Sequence, residues 1–396
     1  RIAHGQRRGV VSASRSSKDT MRYVPFRPAR LQVHTRRVTL RVTRGTQRYV
    51  RESLAINPGN PPWHRGFVAI GNISIAIILA WLLHTPSAAY LACSYALLYT
   101  LSDAEGTLAM RLHAIAWATA FMACGSIAAF LLRGHPVSIV AIFCVGTFVA
   151  GVLSWAGLPF LRAPRFGVVV FCIVLATEIS SLERLLLLLI GTTVTAVSLV
   201  VLEDHLAPDK TRTAYSTFGV AWQLINADRY TVFRFAISYV IATAIGWSAG
   251  RAIDEVHPTW VAVSVLVVMW PDWQKSHQRV LQRVFGSVVG AALAMAIAPR
   301  LDDPRMLIGV IVGLFFFVPY GVRRNYWLHC MLMALVIFLG MKLASDAGLT
   351  RGAVEERVAD IVLGSSIAML GTLFAFRKRD RTLPADAAGP GTTARA

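Results

Sequence analysis

The sequence predicts an all-α integral membrane protein of about twelve transmembrane helices, arranged as two parallel six-helix repeats that form a pseudo-dimer. Three observations carry that expectation. Charge is kept apart from the apolar mass, the apolar mass is cut into runs of membrane length, and motifs in the first half recur at matching spacing in the second.

Of 396 residues, 55% are hydrophobic and 15% charged, with a mean hydropathy of +0.54. Soluble domains carry about 25% Asp, Glu, Lys and Arg, so this chain lacks the charged coat that water requires. Its formal net charge is nevertheless +19. Residues 1–65 resolve the conflict, because they hold 15 Lys/Arg against Asp19 and Glu52 alone. A soluble enzyme and a disordered basic protein are both excluded. The five cysteines, Cys93, Cys124, Cys144, Cys172 and Cys330, sit in apolar runs without C-x-x-C spacing. They read as small core hydrophobes, and no metal site is expected. No phosphate-binding loop stands out, so neither a nucleotide nor any other cofactor is expected.

A helix crossing a bilayer needs about 20 largely apolar residues, or about 17 at the short end. Runs broken by charge, Pro or Gly fall in the first half at about 67–84, 87–101, 113–132, 137–157, 167–178 and 184–202. In the second half they fall at about 231–249, 258–270, 285–298, 306–320, 326–341 and 358–376. Lys and Arg accumulate in cytoplasmic loops. With a cytoplasmic N-terminus, cytoplasmic segments after the arm hold 17 Lys/Arg. The opposite side holds eight: Arg133, Arg184, Arg251, Arg300, Arg305, Lys342, Arg351 and Arg357. One helix more or fewer would invert every later loop, so both termini are expected inside. Trp and Tyr cluster at the run ends, as interfacial rings do.

The halves correspond. Glu183-Arg184 followed by Gly191-Thr192-Thr193 opens the sixth run, and Glu356-Arg357 followed by Gly364-Ser365-Ser366 opens the twelfth. Tyr90 and Ser94 before Ser102-Asp103 align with Trp260 and Ser264 before Pro271-Asp272. Arg111, Ala114 and Ala118 align with Arg283, Gly286 and Gly290. Six helices per unit is an even number, so the repeats run in the same direction, and substrate sites in such folds lie between them near mid-membrane.

The run His257-Pro258-Thr259-Trp260 to Ser264, then Arg283 to Gly290, then Glu356 to Gly364 resembles the fusaric-acid-resistance (aromatic-acid exporter-like) family of bacterial integral membrane transporters. The resemblance covers about 67–376 and is strongest over 257–291. It implies efflux of aromatic or other organic acids, usually driven by the proton motive force.

Short or interrupted spans at equivalent places in two halves point to a transport site, and runs two and eight fit. After run eight, Trp270-Pro271-Asp272 leads into Lys275, Arg279 and Arg283, spaced to share one helix face. The candidate anion path is Arg111, Lys275, Arg279, Arg283, His257, Trp260 and Trp270. For the arginines the bland alternative is topology and lipid phosphate; for the Trp residues and His257 it is an interfacial anchor. Gly286, Gly290, Gly191 and Gly364 are read as helix-packing positions. An ionisable residue inside a span is costly and therefore suspect. Asp360 is the candidate proton-coupling group, with an ion pair to Arg357 as its plainer role.

The expected organisation is a basic cytoplasmic arm over 1–65 (with Met21 a candidate start), a first membrane repeat over 66–202, and a linker over 203–230. A second repeat over 231–376 and a basic tail over 377–396 complete it. The arm is expected along anionic headgroups, with no nucleic acid, since no folded reader motif accompanies the charge. The expected function is proton-coupled efflux of small aromatic or organic acid anions across a bacterial inner membrane. Alternatives are a passive organic-anion channel and a non-transporting assembly subunit. Protein partners would be a second copy or accessory efflux subunits. No catalytic cluster suggests an enzyme.

Overall fold

Where no water reaches the backbone, N–H and C=O groups must bond within the chain, and an apolar run folds as a helix. The computed structural model describes residues 53–55, 63–83, 86–103, 106–157, 159–177, 179–206, 218–253, 259–344 and 349–376. Among them every apolar run is helical and no strand occurs. In the first half the helices are α1 (Trp63–Leu82), α2 (Pro86–Ser102), α3 (Leu108–Leu131), α4 (Pro136–Leu153), α5 (Ala163–Ala176) and α6 (Leu182–Leu206). A ten-residue helix, α7 (Phe218–Ala227), precedes α8 (Arg229–Ile253), α9 (Trp260–Val268) and α10 (Trp273–Ile297). Then come α11 (Pro304–Arg324), α12 (Tyr326–Ala344) and α13 (Arg351–Ala375).

Nine of the described helices are long and apolar enough to cross a membrane: α1, α3, α4, α6, α8, α10, α11, α12 and α13. The chain is therefore a multi-pass membrane protein, all-helical among the described residues. The helices α2, α5 and α9 are shorter. Helix α9 stops because Pro271 has no N–H to continue it. Ser276, fully buried on the next helix, closes the break. Its Oγ accepts from the Trp270 N–H and donates to the Trp270 carbonyl, both at 2.9 Å. Helix α10 then starts on Asp272, whose carboxylate accepts the Lys275 N–H, a normal N-cap.

The polar ends of several runs are helical too. Helix α6 continues through Glu203 to Leu206, and α10 begins at Trp273, twelve residues before the apolar run expected at 285. The tail, His257 and most of the expected arm lie outside the described residues; of the arm, residues 63–65 begin α1, and Ser53–Ala55 is described and packs into the membrane unit. Three side chains hold it. Gln282 Nε2 donates to the Ser53 carbonyl at 2.6 Å, Trp327 Nε1 to that of Leu54 at 2.9 Å, and Asn325 Nδ2 to those of Ser53 and Ala55.

Packing follows one scheme twice. In the first half α3 lies on α5, and α6 touches α1, α2 and α3. In the second, α10 lies on α12, and α13 touches α8, α9 and α10. Across the halves, α4 docks on α8 and α11 docks on α1. The α10–α12 contact is close because of two glycines. A Cβ on Gly286 would meet the Trp327 carbonyl oxygen and lie 2.9 Å from Cys330 Cβ, and one on Gly290 would lie 2.5 Å from the Met331 carbonyl oxygen. Backbone in that position cannot yield as a side-chain tip can.

Gly286→Ala or Gly290→Ala is therefore expected to cost about 1–3 kcal/mol, seen as a lower unfolding midpoint in detergent. Gly309 and Gly313 have open space where a Cβ would go. Gly309→Ala and Gly313→Ala should leave the midpoint unchanged or raise it, since alanine is the better helix former.

Candidate functional site

Buried charges in a membrane protein need partners, and the arginines of this chain differ in the partner each has. They divide into three kinds.

The first kind caps helix ends. Arg133 donates to the carbonyls of Val174 and Thr177 at 2.7 and 2.6 Å, at the C-terminal end of α5. Arg162 Nη1 reaches the Leu101 carbonyl at 2.6 Å, and Arg234 Nε that of Ala375 at 2.7 Å. Carbonyls at helix ends lack i+4 donors, so a guanidinium serves them.

The second kind pairs with carboxylates. Arg111, expected on an anion path, is fully buried. Its Nε and Nη2 donate to the two Asp103 oxygens at 2.7 Å each, and Nη2 also bonds Glu203 Oε2. Arg65 approaches the same carboxylates at 3.5 and 3.8 Å, and His64 Nε2 lies 3.2 Å from Glu203 Oε1 at the exposed rim. Two guanidiniums thus face two carboxylates, and the donors of Arg111 are directed at those internal partners. Arg357 is comparable. It lies 3.5 Å from Asp360 on the same helix, with its guanidinium 3.1 Å above the Trp260 ring. Trp260 is thereby covered by an arginine, and Asp360 is buried in an ion pair.

The third kind has no carboxylate partner among the described residues. Arg165 of α5, from the first half, and Arg279 of α10, from the second, converge on Trp270, and Arg283 of α10 stands beside Tyr326, which Arg279 also touches. The Arg279 guanidinium stands 3.7 Å from the centre of the Trp270 ring and 4.5 Å from that of Tyr326. Arg165 lies 4.8 Å from the same indole and 5.3 Å from the Tyr239 ring. Arg283 neighbours Tyr326 and Cys330. Arg283 Nε and His329 Nδ1 are buried without a hydrogen-bond partner among the described residues.

The break after α9 builds this cluster. Because the Trp270 N–H is turned to Ser276, the Leu266 carbonyl lacks a helical donor. It takes the Tyr239 hydroxyl at 2.6 Å and Arg165 Nη1 at 3.4 Å. Ser154 Oγ accepts a second Arg165 bond at 2.9 Å. Pro271 and Ser276 therefore position Trp270, and Trp270 receives two guanidiniums. Arg–aromatic contacts of this kind hold a cation without neutralising it.

Of the residues singled out from sequence, the structure brings together Trp270, Arg279 and Arg283. Lys275 is 65% exposed and faces Asp272 at 3.8 Å, one turn short of the cluster. Gly364 packs tightly, its would-be Cβ 2.6 Å from the Val261 carbonyl oxygen, whereas Gly191 meets only the Leu79 side-chain tip at 2.8 Å. Sequence inspection missed Arg165, Tyr239 and Tyr326. The one available signal was a basic residue, Arg165, at the head of an unusually short apolar run. Among the described residues no group of His, Cys, Asp and Glu is placed to hold a metal ion.

The cationic, aromatic-lined cluster thus joins side chains from the two halves of a multi-pass helical protein. Residues 237–371 match the family model described as fusaric acid resistance protein-like, so this second-half segment is fusaric acid resistance protein-like. Two curated proteins are similar. "Inner membrane protein YccS" of Escherichia coli (strain K12) is 25% identical over 141 residues, 35% of this chain and 19% of that protein. "Uncharacterized protein slr1298" of Synechocystis sp. is 23% identical over 155 residues, 38% of this chain and 20% of that protein. The aligned region thus spans about a fifth of each relative's length. No solved structure matches.

The Arg111 network yields a stability test. Arg111→Met strands a carboxylate and is expected to cost about 3–5 kcal/mol, read as a lower unfolding midpoint. Adding Glu203→Leu leaves Arg65 facing Asp103 alone and should recover most of the loss. Failure of the double variant to recover would mean that Arg111 acts through packing rather than charge.

Proposed function

We propose that the chain is a secondary transporter that exports small aromatic or other organic acid anions across a bacterial inner membrane, coupled to protons. The single observation carrying this proposal is the Arg165–Arg279–Arg283 cluster. Three guanidiniums lie beside aromatic rings with no carboxylate among the described residues to neutralise them. An organic acid supplies what they lack, a carboxylate for the guanidinium forks and an apolar body for the ring faces of Trp270 and Tyr326. The fusaric acid resistance protein-like segment supports the same class, as does the multi-pass helical fold.

The molecule is proposed to be two parallel six-helix repeats with twelve crossings, α2, α5 and α9 being the short ones. The packing scheme repeated in α1–α6 and α8–α13, with α4 on α8 answered by α11 on α1, supports it. The excess of basic residues on one side supports cytoplasmic termini, which puts the arginine cluster at the cytoplasmic ends of its helices. The basic arm would then lie against anionic headgroups. Asp360 sits at the other end of α9 from Trp270, next to Arg357, and is the proposed proton-exchanging carboxylate.

Reconstituted protein should take up labelled benzoate or salicylate, and a pH gradient should raise the initial rate. Arg279→Gln and Arg283→Gln should each lower apparent affinity about 10- to 100-fold, as expected for a charge-assisted bond of about 1.5–3 kcal/mol. Flux equal with and without the gradient points to a passive channel instead. Unchanged flux in both arginine variants removes the cluster from the path.

A further inference from the structure

We infer that α7, the short helix between the two halves, is a membrane-surface helix whose exposed apolar face inserts at the boundary between lipid headgroups and acyl chains. The inference stands apart from the transport reading and does not depend on it.

The ten residues of α7 include no charged side chain. They rise about 15 Å, half of the roughly 30 Å that a crossing needs, so α7 does not span. Two of its side chains, Ala221 and Ile225, are buried and pack with Ala156, Phe160 and Val232. Phe218 meets the Phe160 ring edge-on at 6.3 Å between centres, yet it remains 60% exposed. Trp222 is 58% exposed, and Val220 and Leu224 are exposed as well. One short helix thus turns four large apolar side chains outward. Clustered apolar surface of this kind marks a contact with something other than water.

The neighbours of α7 place it at the edge of the membrane. Ala156 lies three residues after the end of α4, Phe160 three residues before the start of α5, and Val232 in the first turn of α8. The helix therefore packs on span ends and not on span middles. Asp228 separates α7 from α8, and its carboxylate accepts the Thr231 N–H at 3.2 Å. Next come Arg229, whose Nε donates to Asn226 Oδ1 at 2.9 Å, and Tyr230, which is 72% exposed. A cation and an amphipathic ring at the mouth of a span mark the headgroup level. Beyond them Phe233, Ile237, Ile241 and Ile245 are exposed along α8, spaced to share one face. On a membrane-spanning helix that stripe is a lipid contact. Lipid therefore reaches the corner at which α7 ends, and it is the nearest apolar medium for the outer face of α7. Because α7 carries no charge, its insertion rests on apolar area and not on attraction to anionic headgroups.

Trp222 can report on its own surroundings. The full chain is reconstituted in phosphatidylcholine vesicles, with or without bromine near the headgroup end of the acyl chains. Tryptophan emission is compared between wild type and Trp222→Phe, so that the difference isolates one of ten tryptophans. The Trp222 emission is expected to fall about twofold or more on bromination, since an interfacial helix buries its apolar face about 5–10 Å deep. It should resist quenching by acrylamide from the water, and added phosphatidylglycerol should change neither result. Trp222→Leu supplies the same difference if Trp222→Phe does not fold. Quenching by acrylamide but not by bromine would put α7 in water and overturn the inference. Protection from both quenchers would mean that a second copy or another protein covers α7, which overturns it equally. Bromine quenching that appears only with phosphatidylglycerol would replace apolar insertion with electrostatic docking and so overturn it too.

Discussion

The constraint on which the rest depends is that a guanidinium inside a membrane has to be matched by something. Water cannot do it, and the low dielectric that penalises a lone charge also magnifies each contact made. The chain answers in three ways: helix-end carbonyls for Arg133, Arg162 and Arg234, carboxylates for Arg111 and Arg357, and aromatic faces for Arg165 and Arg279. The first two complete an interior and leave no demand behind. The third holds the cation in place but does not cancel it, and so it distinguishes a site from a scaffold.

That distinction is set by backbone as much as by charge. Pro271 ends α9, Ser276 seals the exposed peptide of Trp270, and the Leu266 carbonyl turns to Tyr239 and Arg165. A regular helix through this point would satisfy Leu266 internally and give Arg165 no reason to face the second half. The break therefore brings an arginine of one half to an indole of the other. On the far side, Gly286 and Gly290 bring α10 against α12 at backbone distance. Arg283, one turn before Gly286, consequently meets Tyr326 and Cys330, whereas a wider helix separation would hold them apart.

The helices were legible because apolar runs are a local property. Each run is helical, and the errors lie at polar ends, where Glu203 and the stretch 273–284 continue a helix that hydropathy alone would stop. Arg279 and Arg283 were legible as a pair because helical spacing puts them on one face. Arg165 was not, because its meaning comes from Trp270, far off in sequence. Arg111 shows the opposite limit. It aligns with Arg283 in sequence, but Asp103 and Glu203, which make its chemistry different, lie after α2 and on α6 and read as a polar break and a run end.

The segment Ser53–Ala55 bears on how the cluster is held. Gln282 and Asn325 precede Arg283 and Tyr326 in sequence, and Trp327 follows Tyr326. These three residues, one on α10 and two at the α11–α12 junction, bond three successive carbonyls of that short segment. The side chains that grip the incoming chain thus interleave with those that form the cluster. Gln282 also donates to Asn325 Oδ1 at 2.7 Å, so α10 and the start of α12 are tied directly as well as through the segment. Movement of α10 against α12 would have to break these bonds and part the glycine contact. Arg279 and Arg283 are accordingly flanked by side-chain bonds within the second half, whereas Arg165 reaches that half through the Leu266 carbonyl at 3.4 Å and the rings of Trp270 and Tyr239.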